Sequence, residues 1–158
     1  MQWLNEPAQW SEQRGSLVVT ADAGTDLWRI TGYGYVRDNG HLYAEQLTGD
    51  FELSMRVRGS YSAQYDQAGA MVRLDERRWL KTGVEYFDGR PRFSTVITLE
   101  HSSWAIADLP ADMSELVLLL TRRGDGHTSY FNPGATRAAI NAFLVNGTLP
   151  KPGTVLDN

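Results

Sequence analysis

Residues 65–89 read YDQAGAMVRLDERRWLKTGVEYFDG, and their alternation decides the fold class. Two period-two runs, 68–74 and 79–87, flank a charged turn, DER at 75–77. Successive side chains of a strand point to opposite faces. Ala70, Val72 and Leu74 therefore share a face with Leu80, Thr82, Val84 and Tyr86, a face fit to be buried. The opposite face carries Met71, Arg73, Trp79, Lys81 and Glu85, with Gly83 in the middle. An ordinary solvent face is dominated by Thr, Lys, Glu and Gln, so this mixture asks for an explanation.

Working outward, similar alternation recurs at 16–20, 42–46, 51–59, 93–99 and 115–122. The separators DNG (38–40), TGD (48–50) and DGRP (88–91) supply Asp and Gly where turn dihedrals are needed. The pattern predicts an all-β, antiparallel two-sheet sandwich with Val57, Val72, Val84, Phe93 and Ile97 between the sheets. After TRRGDG (121–126) the alternation stops. GATRAAINAFLVNG (134–147) instead spaces Ala139, Ile140, Phe143 and Leu144 as a helix does. The expected organisation is a β-sandwich domain at 1–125 and an atypical tail at 126–158.

Composition narrows the function classes. A chain of 158 residues, 42% hydrophobic and 11% aromatic, suffices for one well-buried core. Its net charge of -4 and lack of basic runs argue against nucleic acid or an anionic membrane as partner. No cysteine is present, and His41, His101 and His127 lack ligand spacing, so no metal or cofactor is expected. MQWLNEPAQW has no secretory pattern, and the longest apolar run, LVLLL at 116–120, is too short to span a bilayer. The default reading is a soluble cytoplasmic protein.

NEPAQW, TDLWRITGYGYVRDNGH, GDFELSMRVRGSYSAQYDQAGAMVRLD, WLKTGVEYFDG and FSTVITLEHSSW, in this order, resemble the regulation-of-enolase protein family over roughly residues 1–123. The resemblance implies a concanavalin-A-like jelly roll, related to lectins and glucanases, and a cytoplasmic protein. It supplies no catalytic mechanism. The chain departs from the family pattern after Asp125, where further strands are expected to complete the sandwich. An incomplete sandwich leaves an open edge, to be covered by the tail or by a second chain in a homodimer.

With tight turns, Arg73 is expected opposite Lys81, Met71 opposite Gly83, Glu85 near Ser94 and Lys81 near Thr98. The 60–67 loop is expected to set Ser54 beside Arg73 and Arg58 beside Gly69. The polar face then collects Ser54, Arg56, Arg58, Arg73, Lys81, Glu85, Ser94 and Thr98, with room above Gly69 and Gly83. Opposed Arg73 and Lys81 repel unless a carboxylate or ligand lies between them. Trp28, Trp79 and Trp104 are the expected rim aromatics for stacking a sugar ring. The alternative is an internal salt-bridge ladder that binds nothing. The 25–41 stretch has the Trp, Tyr, Arg and His of a binding loop, though Gly32 and Gly34 equally suit a bend. Asp66 and Gln67 stand where a loop enters a strand, suited to ligand contact, although Asp66 equally suits a local turn cap.

No Glu-x-Asp-x-Glu run, nucleophile elbow or phosphate loop is present, so no catalytic residues are assigned and glycoside hydrolysis is the least favoured reading. The leading expectation is a non-catalytic domain binding a carbohydrate or sugar-derived ligand through Arg73, Lys81, Glu85, Trp28, Arg58, Asp66, Gln67, Trp79, Ser94 and Trp104. The alternative is a protein-interaction module regulating a metabolic enzyme such as enolase.

Overall fold

The structure, a computed structural model, describes residues 1–122. The helix-like spacing at 134–147 and the proposed tail lie outside them. Twelve strands appear among the described residues: β1 (Gln2–Leu4), β2 (Gln9–Gln13), β3 (Ser16–Thr20), β4 (Leu27–Arg29), β5 (Val36–Asp38), β6 (Leu42–Ala44), β7 (Phe51–Val57), β8 (Gln67–Arg73), β9 (Arg78–Phe87), β10 (Arg90–Leu99), β11 (His101–Asp108) and β12 (Leu116–Arg122). All their pairings are antiparallel, and the fold is an all-β sandwich. Among these residues no helix is long and apolar enough to cross a membrane.

The centre is a four-stranded sheet in the order β11-β10-β9-β8. Its apolar face meets the β7–β12 pair. Val57, Ala70 and Leu118 are buried there, with Leu53, Met55, Ala68, Phe93, Leu116 and Leu120 packed around them. Val84 and Ile97 are buried as expected, whereas Val72 and Phe93 remain half-buried at the margin.

The other face of the same sheet carries a second small core. Leu27 on β4 presses onto Trp79 and Val96, joined by Trp28, Met71 and Trp104. The sheet thus has cover on both sides, and the face read as polar is partly roofed by the β4–β5 ribbon. Face parity is as the sequence predicts, but register is shifted. Arg73 pairs with Trp79, Met71 with Lys81 and Gly69 with Gly83. Glu85 pairs with Arg92, Ser94 with Gly83 and Lys81 with Val96. Each difference is two residues, which preserves parity. The β9–β10 cause is the turn. Asp88 and Gly89 both adopt positive φ (53° and 78°), as a two-residue type I′ loop requires, in place of a longer DGRP turn.

A larger correction concerns β7. It pairs with β12, with Ser54 opposite Leu119 and Arg56 opposite Val117, and not with β8. Ser54, Arg56 and Arg58 therefore belong to the other layer and leave the polar face.

Candidate functional site

The two cations that raised the question are both neutralised from the ribbon above. Arg73 donates to Asp38 through Nη1 (2.6 Å) and Nη2 (2.8 Å), a bidentate pair in which the Arg side chain is 15% exposed. Lys81 donates to Asp26 Oδ1 at 3.3 Å and to the Leu27 carbonyl at 2.8 Å, and its Nζ lies 5.7 Å from the Trp79 ring centroid. Burial pushes the Lys81 ammonium below the ordinary lysine range, while Asp26 and Glu85 pull it partly back. Both cations thus have carboxylate partners, supplied by the ribbon and not by Glu85 as in the salt-bridge ladder.

Asp26 and Asp38 stand at the start and end of the ribbon, so two ion pairs fasten it to the sheet. Ser102, fully buried on β11, adds a third fastening: its Oγ accepts from the Arg29 N–H at 2.9 Å and shares a 2.8 Å hydrogen bond with Thr98. Sequence reading missed these three positioning residues. The signal for the aspartates was present, since buried cations require carboxylates and both lie in the 25–41 stretch already marked.

Farther along the same face, Glu85 is only 4% exposed. Trp104 Nε1 donates to its Oε2 at 2.9 Å and to Ser94 Oγ at 3.1 Å. Gln67 Nε2 reaches Oε1 at 3.3 Å. Of the sequence-predicted residues, Glu85, Gln67, Ser94 and Trp104 are thus brought together. The glycines beside them serve a purpose beyond leaving room. A Cβ on Gly69 would stand 2.0 Å from the Thr82 carbonyl oxygen, and one on Gly83 would stand 2.2 Å from that of Ala68. Strands this close admit no side chain.

Further aromatic rings adjoin Trp104. Phe87 meets Trp104 edge-on with centroids 4.9 Å apart, and Tyr65 lies 5.9 Å from Phe87. The neighbouring Tyr65 phenol raises the pKa of Tyr33 from the ordinary tyrosine value. Tyr33 also meets Trp28 edge-on at 6.0 Å and stacks on Tyr35 at 5.4 Å. An open hollow of about 480 Å³ lies between Trp28 and Trp104, lined also by Thr31, Gly32, Tyr33 and Ser102.

The remaining candidates fall elsewhere. Trp79, expected at the rim, is buried under Leu27 because the ribbon covers that end of the face. Arg58, on the other layer, pairs with Glu115 at 2.6 Å. Asp66 caps its own loop, accepting from the Ser62 and Ala63 N–H groups at 2.9 and 2.8 Å. Among the described residues no group of three or more His, Asp or Glu is placed to hold a metal ion.

Comparison with known proteins gives a consistent picture. The chain is 43% identical over 105 residues to a protein named Regulation of enolase protein 1 of Saccharomyces cerevisiae, covering 66% of this chain and 53% of that one. It is 30% identical over 113 residues to an uncharacterized protein of Emericella nidulans, covering 68% and 56%. The chain spans about half the length of these curated relatives. A crystal structure of a functionally unknown protein from Saccharomyces cerevisiae superposes with a TM-score of 0.73 at 38% identity, over 77% of this chain and 66% of that one. A family described as a protein of unknown function, DUF1349, matches residues 3–146, so the change of pattern near Asp125 falls inside the family's span. The resemblance read from the motifs is thereby substantiated, and the chain belongs to the DUF1349 family.

Proposed function

We propose that this chain is a non-catalytic interaction domain that docks on a metabolic enzyme, with enolase the partner that the name of its yeast relative indicates. The observation that carries the reading is an exposed aromatic patch beside a satisfied charged face. Arg73 and Lys81 spend their hydrogen bonds on Asp38 and Asp26. Tyr33 is 59% exposed, Tyr65 46%, and Tyr35 and Val36 are also exposed. Clustered exposed aromatics are more typical of protein interfaces than of solvated surface. A cytoplasmic location and an interaction unit within residues 1–125 belong to this reading.

The test is binding of the purified chain to purified enolase from the same organism by calorimetry. A Tyr33→Ala/Tyr35→Ala variant is expected to weaken the complex by about tenfold or more, as truncation of aromatic anchors commonly does. No binding by the wild-type chain at concentrations near 50 μM, a weak but measurable affinity, removes enolase as the partner.

A second reading, a sugar-type ligand, is supported by the Glu85–Gln67–Trp104 grouping beside the hollow. It has lost Arg73 and Lys81 as hydroxyl partners. A glycan-array signal abolished by Trp104→Ala would favour it.

A further inference from the structure

Among the described residues Glu85 is a buried carboxylate that makes no ion pair, although Lys81 lies near enough to feel its charge. Both of its oxygens accept from neutral donors, the Trp104 indole and the Gln67 amide. Among the described residues no ammonium or guanidinium lies within ion-pair distance of it. Arg92, directly opposite in register, pairs with Asp108 through Nη1 while its buried Nε makes no hydrogen bond, and Lys81, on the same strand, turns to Asp26. Carboxylates this buried are ordinarily paired with a positive group.

The surroundings suit one. Trp104, which donates to the carboxylate, belongs to a run of aromatic rings: Phe87 meets it edge-on, Tyr65 lies beside Phe87, and Trp28 and Tyr33 line the hollow with it. Aromatic faces attract cations, more strongly where water is excluded. Two residues that carry or neighbour these aromatics hold left-handed backbone conformations costly for side-chain-bearing residues. Tyr65 has φ 72°, and Ile30, which opens the turn carrying Tyr33, has φ 65°. Such strain concentrates at binding sites. Gln67 is exposed, and its amide makes the longer of the two bonds to Glu85.

From this geometry we infer that the aromatic group around Trp104 receives a lysine side chain of the partner protein, its ammonium displacing the Gln67 amide and pairing with Glu85. The inference rests on the interaction reading above and names the chemistry by which the partner is held. A sugar would find few free polar groups here, because Ser94 is already bonded to Trp104 and the two cations to the ribbon.

The test follows the Trp104 indole N–H resonance by NMR, assigned with Trp104→Phe, during titration with n-butylammonium chloride. Sodium chloride at equal ionic strength and N-acetylglucosamine are run in parallel. The expected result is a saturable shift with n-butylammonium alone. Glu85→Gln weakens it by about tenfold or more, through loss of a charge-assisted bond. Gln67→Ala tightens it by a few-fold, because the competing amide is gone. Thermal unfolding of both variants checks that they are folded. The inference is overturned if sodium chloride reproduces the shift, if Glu85→Gln binds as well as wild type, or if N-acetylglucosamine saturates at lower concentration. Enolase binding separates the two levels. A complex formed equally by wild type and Glu85→Gln overturns the lysine contact while leaving the interaction reading intact. An n-butylammonium site without an enolase complex supports the contact chemistry and removes enolase.

Discussion

Gly83→Ala tests the close approach of β8 and β9. The new methyl carbon would stand 2.2 Å from the Ala68 carbonyl oxygen and 2.6 Å from the Gly69 Cα. Ordinary van der Waals contact begins near 3.4 Å, so relief needs a strand movement of about 1 Å. Both opposing atoms are backbone, so no flexible side chain can yield. Such a movement stretches the ladder bonds around the Gly69–Gly83 pair and opens the floor beneath Glu85. Overpacking of a tight site costs roughly 1–3 kcal/mol, and the upper end applies where backbone must move. With about 2.1 cal/mol/K of unfolding entropy per residue, a loss of about 3 kcal/mol lowers Tm by about 9 °C for a chain of this size. Circular dichroism melts of Gly83→Ala and Gly32→Ala give the comparison. Gly32 has positive φ with open space around it, so its alanine variant carries only the smaller left-handed penalty of about 1 kcal/mol. A Gly83→Ala protein that melts within 2 °C of wild type, or above Gly32→Ala, refutes the close-approach argument.

Three further outcomes are expected. A double-mutant cycle on Arg73→Met and Asp38→Asn should show coupling of about 1–3 kcal/mol in denaturant unfolding, as a bidentate, mostly buried pair warrants, and coupling near zero contradicts the fastening role. Because burial lowers the folded-state pKa of Lys81, the unfolded chain binds more protons between that value and the ordinary 10.5. Wild-type stability relative to Lys81→Met should therefore rise with pH across that window, as denaturant midpoints at successive pH values would show. Trp104→Phe removes the indole N–H shared by Glu85 and Ser94 and should cost about 1–3 kcal/mol, the range for a buried polar group left without its partner; an unchanged midpoint would mean that Gln67 and water suffice.

Much of this architecture is legible in the alternation. The strands at 51–59, 68–74, 79–87, 93–99 and 115–122 all exist with small boundary changes, and the assignment of Arg73, Lys81 and Glu85 to one face is correct. The strand β11 was not read because HSSWAIAD alternates poorly, its face toward the ribbon being filled by Ser102 and Trp104. Short ribbons such as β4–β5 also escape pattern reading, since three residues carry no period. The pairing of β7 with β12 joins segments about sixty residues apart, and nothing local distinguishes it from the hairpin to β8. The trio Glu85, Ser94 and Trp104 was foreseen in membership. Its bonds were not, because which groups meet across a face depends on register to within a residue.

The fastening of the β4–β5 ribbon has a consequence for how changes spread through the molecule. Tyr33 and Tyr35 hang on a turn between two strands whose outer ends are clasped by Asp26–Lys81 and Asp38–Arg73. Those clasps sit on the main sheet, whereas the tyrosines face outward. A substitution at Arg73 or Lys81 is therefore expected to reach the exposed rings as a change in their position. The aromatic surface is in effect an appendage aimed by the half-hidden charges beneath the ribbon.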